Sequence, residues 1–204
     1  MASEHIYKQF DSDLEAIRAK VLEMGTLVEE QTANAIKSLL NTDIKLAEQV
    51  MKRDDQINDL EVAIDEETSL LIAKRSPAAG DLRNIMMMLK IITDLERMGD
   101  EAAKIARSTT RIFEDNRMSK PRFTEIKGMA KAVQGMIKTA LNSFARLDLS
   151  DTIDILEKDK QVDDDYRSCM RQLLTFMLED PRTISMSLES MFIAKSLERI
   201  GDHA

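Results

Sequence analysis

Turn-forming residues are scarce in this 204-residue chain, which holds six glycines and three prolines. That is about 4% of the residues, where an average chain carries about 12% of the two together. So few turn formers leave room for few connections, and long helices must dominate. A sandwich or small barrel, which turns roughly every 8–12 residues, is excluded. Cysteine occurs once, at Cys169, which permits no internal disulfide and no thiolate metal centre and suits a reducing cytoplasm. No basic region runs into an apolar core at the N-terminus, so no signal peptide is read there. Apolar runs such as Ile85 to Leu89 end in charges, well short of the ~20 residues that cross a bilayer. A soluble cytoplasmic protein is expected, meeting a membrane only through partners. Basic residues are the minority, 29 Lys and Arg against 37 Asp and Glu, for a net charge of -8. Affinity for nucleic acid rests mainly on neutralising phosphates, so that partner is not expected.

Apolar residues recur at helical spacing along nearly the whole chain. Leu14, Ile17, Val21, Met24 and Val28 step by three and four, as do Ile57, Leu60 and Ile64. With 14 methionines, no tryptophan and 32% charged residues, the pattern fits helices packed on Leu, Ile and Met. A first helix is read from about residue 8 to 40, ending near Asn41-Thr42-Asp43, and a second from about 44 to 74. Ser76-Pro77 then reads as an N-cap hydroxyl followed by a proline at the first position of a third helix, which runs to about residue 114. Residues Asp115 to Pro121 are polar and end in a helix-stopping proline. They mark the boundary between a first unit, 1–115, and a second, 120–204.

The second unit repeats the first. A shift of 105 residues superposes Met24 on Met129, Val28 on Val133, Asp43 on Asp148, Asp54 on Asp159 and Asp59 on Asp164, without a gap. Asp180-Pro181 takes the part of Ser76-Pro77. A shift of 102 then aligns Leu95-Glu96-Arg97-Met98-Gly99-Asp100-Glu101-Ala102 with Leu197-Glu198-Arg199-Ile200-Gly201-Asp202-His203-Ala204, identical at six of eight positions. The expected fold is all-α: two tandem, pseudo-symmetric three-helix bundles. In the first copy the third helix continues past the shared motif to about Phe113, whereas the second copy stops at Ala204. The sixth helix is therefore expected to be incomplete and the chain a fragment.

Glu96 and Asp100 are four apart, as are Glu198 and Asp202. Four residues turn a helix by about 400° and advance it about 6 Å, so each pair shares a face. Like charges at this spacing are unfavourable by a few tenths of a kcal/mol, and a compensating cation is called for. Gly99 and Gly201 lie inside the motif, where a glycine costs roughly 1 kcal/mol against alanine. Their use is close approach by a neighbouring helix or ligand. On the preceding helices Asp54 with Asn58, and Asp159 with Asp163, are again four apart. In an up-down-up bundle each copy could gather four oxygen donors at one place. Hard oxygen donors without cysteine favour Mg²⁺, Mn²⁺, Ca²⁺ or iron.

Other readings stand beside this one. Arg97 and Arg199 could neutralise the acidic pairs as structural salt bridges, which would make the chain a metal-free helical assembly module. Asp55 with Asp59 reads as solvated surface. A metal-dependent enzyme built on the carboxylate clusters is a third possibility. Against it, a di-iron oxidase needs Glu-x-x-His on two helices, and the third residue after Glu96 and Glu198 is glycine each time. His203, beside Asp202, is a candidate metal ligand in the second copy, where the first copy has Glu101. Met86-Met87-Met88 reads as core and interface filler, and Cys169 as an inert buried thiol. No catalytic constellation is found.

The residues Leu-Glu-Arg-Met-Gly-Asp at 95–100 and Leu-Glu-Arg-Ile-Gly-Asp at 197–202 resemble those of the PhoU family of phosphate regulators. The likeness extends to Met24-Gly25, Val28-Glu29, Val62-Ala63-Ile64-Asp65-Glu66, and Pro77 followed by Asp81-Leu82-Arg83, and it covers essentially the whole chain. The resemblance implies paired three-helix bundles, assembled as a homodimer. It implies divalent or iron ions (Mg, Mn, Zn or Fe) at the E(D)-x-x-x-D motifs: Glu96, Asp100, Glu198 and Asp202, with Asp54, Asp159 and Asp163. Asn58 departs from a carboxylate there. It further implies a non-catalytic negative regulator of the phosphate-starvation response. That regulator would link the ATPase subunit of a phosphate ABC transporter to a sensor histidine kinase.

Overall fold

The structure, a computed structural model, describes residues 2–114 and 124–204. Six α-helices follow one another: α1 (Ala2–Asn41), α2 (Ile44–Arg75), α3 (Ala79–Glu114), α4 (Thr124–Arg146), α5 (Thr152–Glu179) and α6 (Ile184–His203), the last preceded by a 3₁₀ turn at Pro181–Thr183. The boundary expected at Asp115 to Pro121 lies outside the described residues. Each set of three helices packs on itself, α1 with α2 and α3, and α4 with α5 and α6. The architecture is two three-helix bundles, and the apolar stripes explain it. Val21, Met24 and Val28 on α1 are fully buried, as are their repeats Met129 and Val133 on α4. Burying one such side chain is worth roughly 1.5–3 kcal/mol, which outweighs the charged surface these helices carry.

The turns repeat too. Thr42 and Leu147, 105 positions apart, both take left-handed backbone, φ 59° and 51°. In the first turn the N–H of Asp43 donates to Ser38 O at 2.9 Å, and in the second Asp148 N donates to Ser143 O at 3.0 Å. This is the Schellman closure that usually employs glycine. Here all six glycines lie inside helices, and none has positive φ.

One expectation at a helix start is corrected. Ser76 does not cap α3. It closes α2 with φ 46°, its N–H donating to Ile72 O at 3.0 Å, and α3 begins at Ala79. The ring of Pro77 disfavours right-handed helix at the residue before it, so α2 must end at Ser76. At the matching place Asp180 does act as a cap, its carboxylate accepting from Arg182 N at 3.0 Å with Pro181 first in the turn.

The two bundles meet through α1 against α4 and α3 against α6. On the first contact a Cβ at Gly25 would lie 2.3 Å from Leu141 Cδ2, so the helix backbone presses on that side chain. Nearby, Arg18 donates to the last carbonyls of α4, at Phe144 (3.2 Å) and Ala145 (2.7 Å), groups that a helix end leaves unpaired. On the second contact Arg111 meets Glu189, Glu101 meets Ser196 and Arg199, and Asp94 meets His203. Numbers fall on α3 as they rise on α6, so these helices are antiparallel. Glu101 is buried, its carboxylate held by Ser196 Oγ at 2.8 Å, Arg199 at 2.8 Å and Lys104 at 3.0 Å. Under the 102-residue shift Glu101 corresponds to His203 and Ser196 to Asp94. The Asp94–His203 contact at 3.1 Å is thus its pseudo-symmetric mate.

Removing one partner of a buried ionic group strands the others. Glu101→Ala is expected to cost about 3 kcal/mol in urea unfolding, and Ser196→Ala about 1 kcal/mol.

Candidate metal centre

Each candidate centre lies where the third helix of a bundle crosses the second. In the first bundle α2 brings Asp54 beside α3 at Gly99: a Cβ at Gly99 would lie 3.6 Å from Asp54 Oδ1 and 2.9 Å from Ile57 Cδ1. The absence of a side chain therefore lets the two helices approach. In the second bundle a Cβ at Gly201 would lie 3.7 Å from Asp159 Oδ1 and 3.6 Å from Met136 Cε. These are ordinary contact distances, so a methyl fits there. Packing accounts for Gly99 but not for Gly201.

The second bundle gathers the tighter group. Asp163 on α5 and Glu198 and Asp202 on α6 each offer a carboxylate oxygen within 4.8 Å of the others. Asp159, one turn from Asp163, stands close enough for the charges of Asp202 and Asp163 to act on it. Burial and then those charges push its carboxyl above the usual carboxylate range. Three to four hard oxygens in one groove fit a hard divalent cation. Part of the charge is already met within the fold, since Lys195 pairs with Glu198, and Arg167 lies 3.5 Å from Asp163.

The first bundle holds Asp54, Glu96 and Asp100 in mutual electrostatic reach, but they do not form a comparable trio among the described residues. Asn58 lies one helical turn beyond Asp54, half-buried, in the place of Asp163. Burial raises the carboxyl of Asp54, the charges of Asp100 and Asp55 add to this, and a hydrogen bond from Gln31 opposes it. Burial likewise raises Glu96, followed by the charges of Asp100, Glu61 and Asp54.

Two expectations change on geometry. Arg199 does not neutralise Glu198 and Asp202: it reaches across to Glu101 on the other bundle. Arg97 forms no ion pair among the described residues. His203 belongs to the contact with Asp94 between bundles, where its Nδ1 is engaged away from the carboxylate trio. Cys169 is buried as expected, which pushes its thiol up to about 11. Met88 is buried while Met86 and Met87 are exposed.

Three neighbours of the centres were not read from the sequence. Gln31 donates to Asp54 Oδ1 at 3.0 Å and to Gly99 O at 3.3 Å, so it fixes the crossing of α2 and α3. Its signal was a polar residue within the buried stripe of α1, between Val28 and Ala35. Glu61 carried the signal of an acid seven residues after Asp54, which returns to the same face. Lys195 preceded Glu198 by three residues, a spacing at which side chains meet.

A family described as the PhoU domain matches residues 21–109 and 126–204. The Phosphate-specific transport system accessory protein PhoU homolog of Pseudomonas aeruginosa is 44% identical over 203 residues, covering 99% of this chain and 83% of that protein. The Phosphate-specific transport system accessory protein PhoU of Escherichia coli K12 is 42% identical over 200 residues, covering 98% and 82%. The crystal structure of PhoU from Pseudomonas aeruginosa superposes with a TM-score of 0.91 at 44% identity, covering 95% of this chain and 92% of that one.

Two measurements probe the crossings. Because the raised carboxyls favour the protonated form in the fold, their contribution is fullest below the usual carboxylate range and is lost as pH rises through their raised values. In chelator, Asp54→Asn should therefore raise the melting temperature near neutral pH, and the gain should vanish in acid. Gly201→Ala should be neutral or stabilising by up to ~1 kcal/mol from helix propensity. Gly99→Ala, which crowds the buried Ile57, should destabilise by about 1 kcal/mol in the same unfolding assay.

Proposed function

This chain belongs to the PhoU family, and from that premise we propose that it is the accessory protein of a phosphate-specific transport system. In this reading it acts in the cytoplasm as a homodimer and restrains the phosphate-starvation response. It does so without catalysis, by connecting the ATPase subunit of the transporter to a sensor histidine kinase. The observation that carries the reading is 42–44% identity, over 98–99% of this chain, with accessory proteins of that system. The chemistry of the chain supports a non-catalytic role. Its one thiol is buried, which holds it protonated at neutral pH, and its grouped carboxylates lie at two helix crossings.

The donor sets fit hard cations. Asp163, Glu198 and Asp202 would hold one in the second bundle, with Asp159 beside them. Asp54, Glu96 and Asp100, with Asn58 as a neutral oxygen donor, would hold one in the first. A bound cation would supply charge neutralisation. The chain's own part is to bring the second and third helices together, closely at Gly99, so that carboxylates from both face one groove. Cation occupancy then sets how firmly each third helix is held, and α3 and α6 form the junction between bundles.

A metal-free reading is favoured by one observation, the pairing of Lys195 with Glu198, which neutralises part of the second centre from within. Metal analysis separates the two. The wild type should retain Mn, Mg, Zn or Fe after desalting, and the Asp163→Asn, Glu198→Gln, Asp202→Asn triple variant should retain less. Metal content unchanged by these substitutions would count against the second centre and support the metal-free module. The adaptor role is tested by pull-down against the transporter ATPase and the sensor kinase with and without phosphate. Absence of binding to either at any phosphate level would overturn it.

A further inference from the structure

Five basic residues of α3 stand seven apart: Arg83, Lys90, Arg97, Lys104 and Arg111. Seven residues fall about 20° short of two full turns, so the five form one stripe, about 42 Å long. The stripe points away from the core, since Arg83, Lys90 and Arg97 are exposed and make no ion pair among the described residues. On the antiparallel neighbour α6, Lys195 and Arg199 add two more exposed cations. A chain with a net charge of -8 thus presents a cationic ridge along the outer face of its central helix pair.

The ion pairs beneath the ridge preserve its sign. Lys104 is 44% exposed while its partner Glu101 is 4% exposed, and Arg111 at 57% covers Glu189 at 18%. Lys195 at 47% covers Glu198 at 12%. In these three pairs the acid is withdrawn and the cation faces solvent, while Lys104 also has Asp100 at 3.9 Å, an acid as exposed as itself. The acids nearest the ridge stand at its flanks: Asp94 is engaged by His203, and Asp100 and Asp202 belong to the two carboxylate centres. Exposed apolar side chains are interleaved with the cations. Met86 lies between Arg83 and Lys90, and Leu188 and Phe192 precede Lys195 on α6, with Met86, Leu188 and Phe192 each about half exposed.

We propose that this outward face of the α3–α6 pair docks on an anionic lipid surface. The cations would meet headgroup phosphates, and Met86, Leu188 and Phe192 would enter the boundary of the acyl chains. Charge complementarity selects the occupant. A second copy laid on the same face by two-fold symmetry would set cations against cations. Nucleic acid would satisfy the cations but give no partner to Leu188 and Phe192, whereas a bilayer surface supplies both phosphate and apolar depth. No helix among the described residues is long and apolar enough to cross a membrane, and surface docking requires none.

Vesicle co-sedimentation of the whole chain in chelator tests this. Binding is expected to vesicles of phosphatidylcholine with phosphatidylglycerol and not to phosphatidylcholine alone, and high salt should weaken it. The double variant Lys90→Glu, Arg97→Glu should lower partitioning at least ~tenfold. Circular dichroism checks that this variant folds, and the neutral pair Lys90→Gln, Arg97→Gln should give a smaller loss in the same direction. Phe192→Ser should weaken binding while leaving its salt dependence in place. Failure to bind the anionic vesicles, or binding that neither double variant reduces, overturns the proposal and leaves an acidic protein segment as the occupant of the face.

Discussion

The molecule depends on the contact between α3 and α6, and within it on a buried carboxylate. Glu101 reaches Ser196 and Arg199 across the junction and Lys104 on its own helix. A buried carboxylate with three partners fixes the relative position of the helices that carry it, because any slide would leave charge without compensation. The Asp94–His203 contact repeats this constraint on the other side of the pseudo-two-fold axis. Once α3 and α6 are registered, the remaining helices follow by apolar packing. The two acidic grooves are then carried to fixed places on either flank of the pair.

Much of this was legible in the sequence because duplication prints the same physics twice. Two stripes of apolar residues 105 positions apart could only be two copies of one core, and Met24 with Met129 and Val28 with Val133 are buried accordingly. The left-handed turns at Thr42 and Leu147 recur at the same shift. Helical spacing also placed Glu198 and Asp202 together, and Asp163 joins them across the bundle. Local pattern could not reveal contacts between copies. Arg199 reads as a partner for its neighbours Glu198 and Asp202, and the tertiary contact with Glu101 overrides that. Ser76 reads as a cap for the helix that follows because hydroxyl caps act in that direction, whereas the proline after it makes it the end of the helix before.

The copies differ at the crossings of their second and third helices. Gln31 in the first bundle bonds both Asp54 and the carbonyl of Gly99, and the corresponding residue of the second is Met136. Asn58 replaces the carboxylate of Asp163, and a methyl that would collide at Gly99 fits at Gly201. The first crossing is therefore closed by the protein's own hydrogen bonds, while the second is more open and more acidic. Two sites of common origin have come to differ in how much of their charge the fold itself satisfies.

The helix ends carry a further consequence. With every glycine inside a helix, the left-handed closures fall to Thr42, Ser76 and Leu147, residue types for which that backbone is unfavourable by about 1–2 kcal/mol each. Such turns have little tendency to form alone, and they persist only when the helices they join are already packed. A helical hairpin cut out around any of these three corners would then lack a self-sufficient turn. Folding is drawn toward an all-or-none event in which the three helices of a repeat assemble together, with the corners closing as a result of assembly and not as its seed.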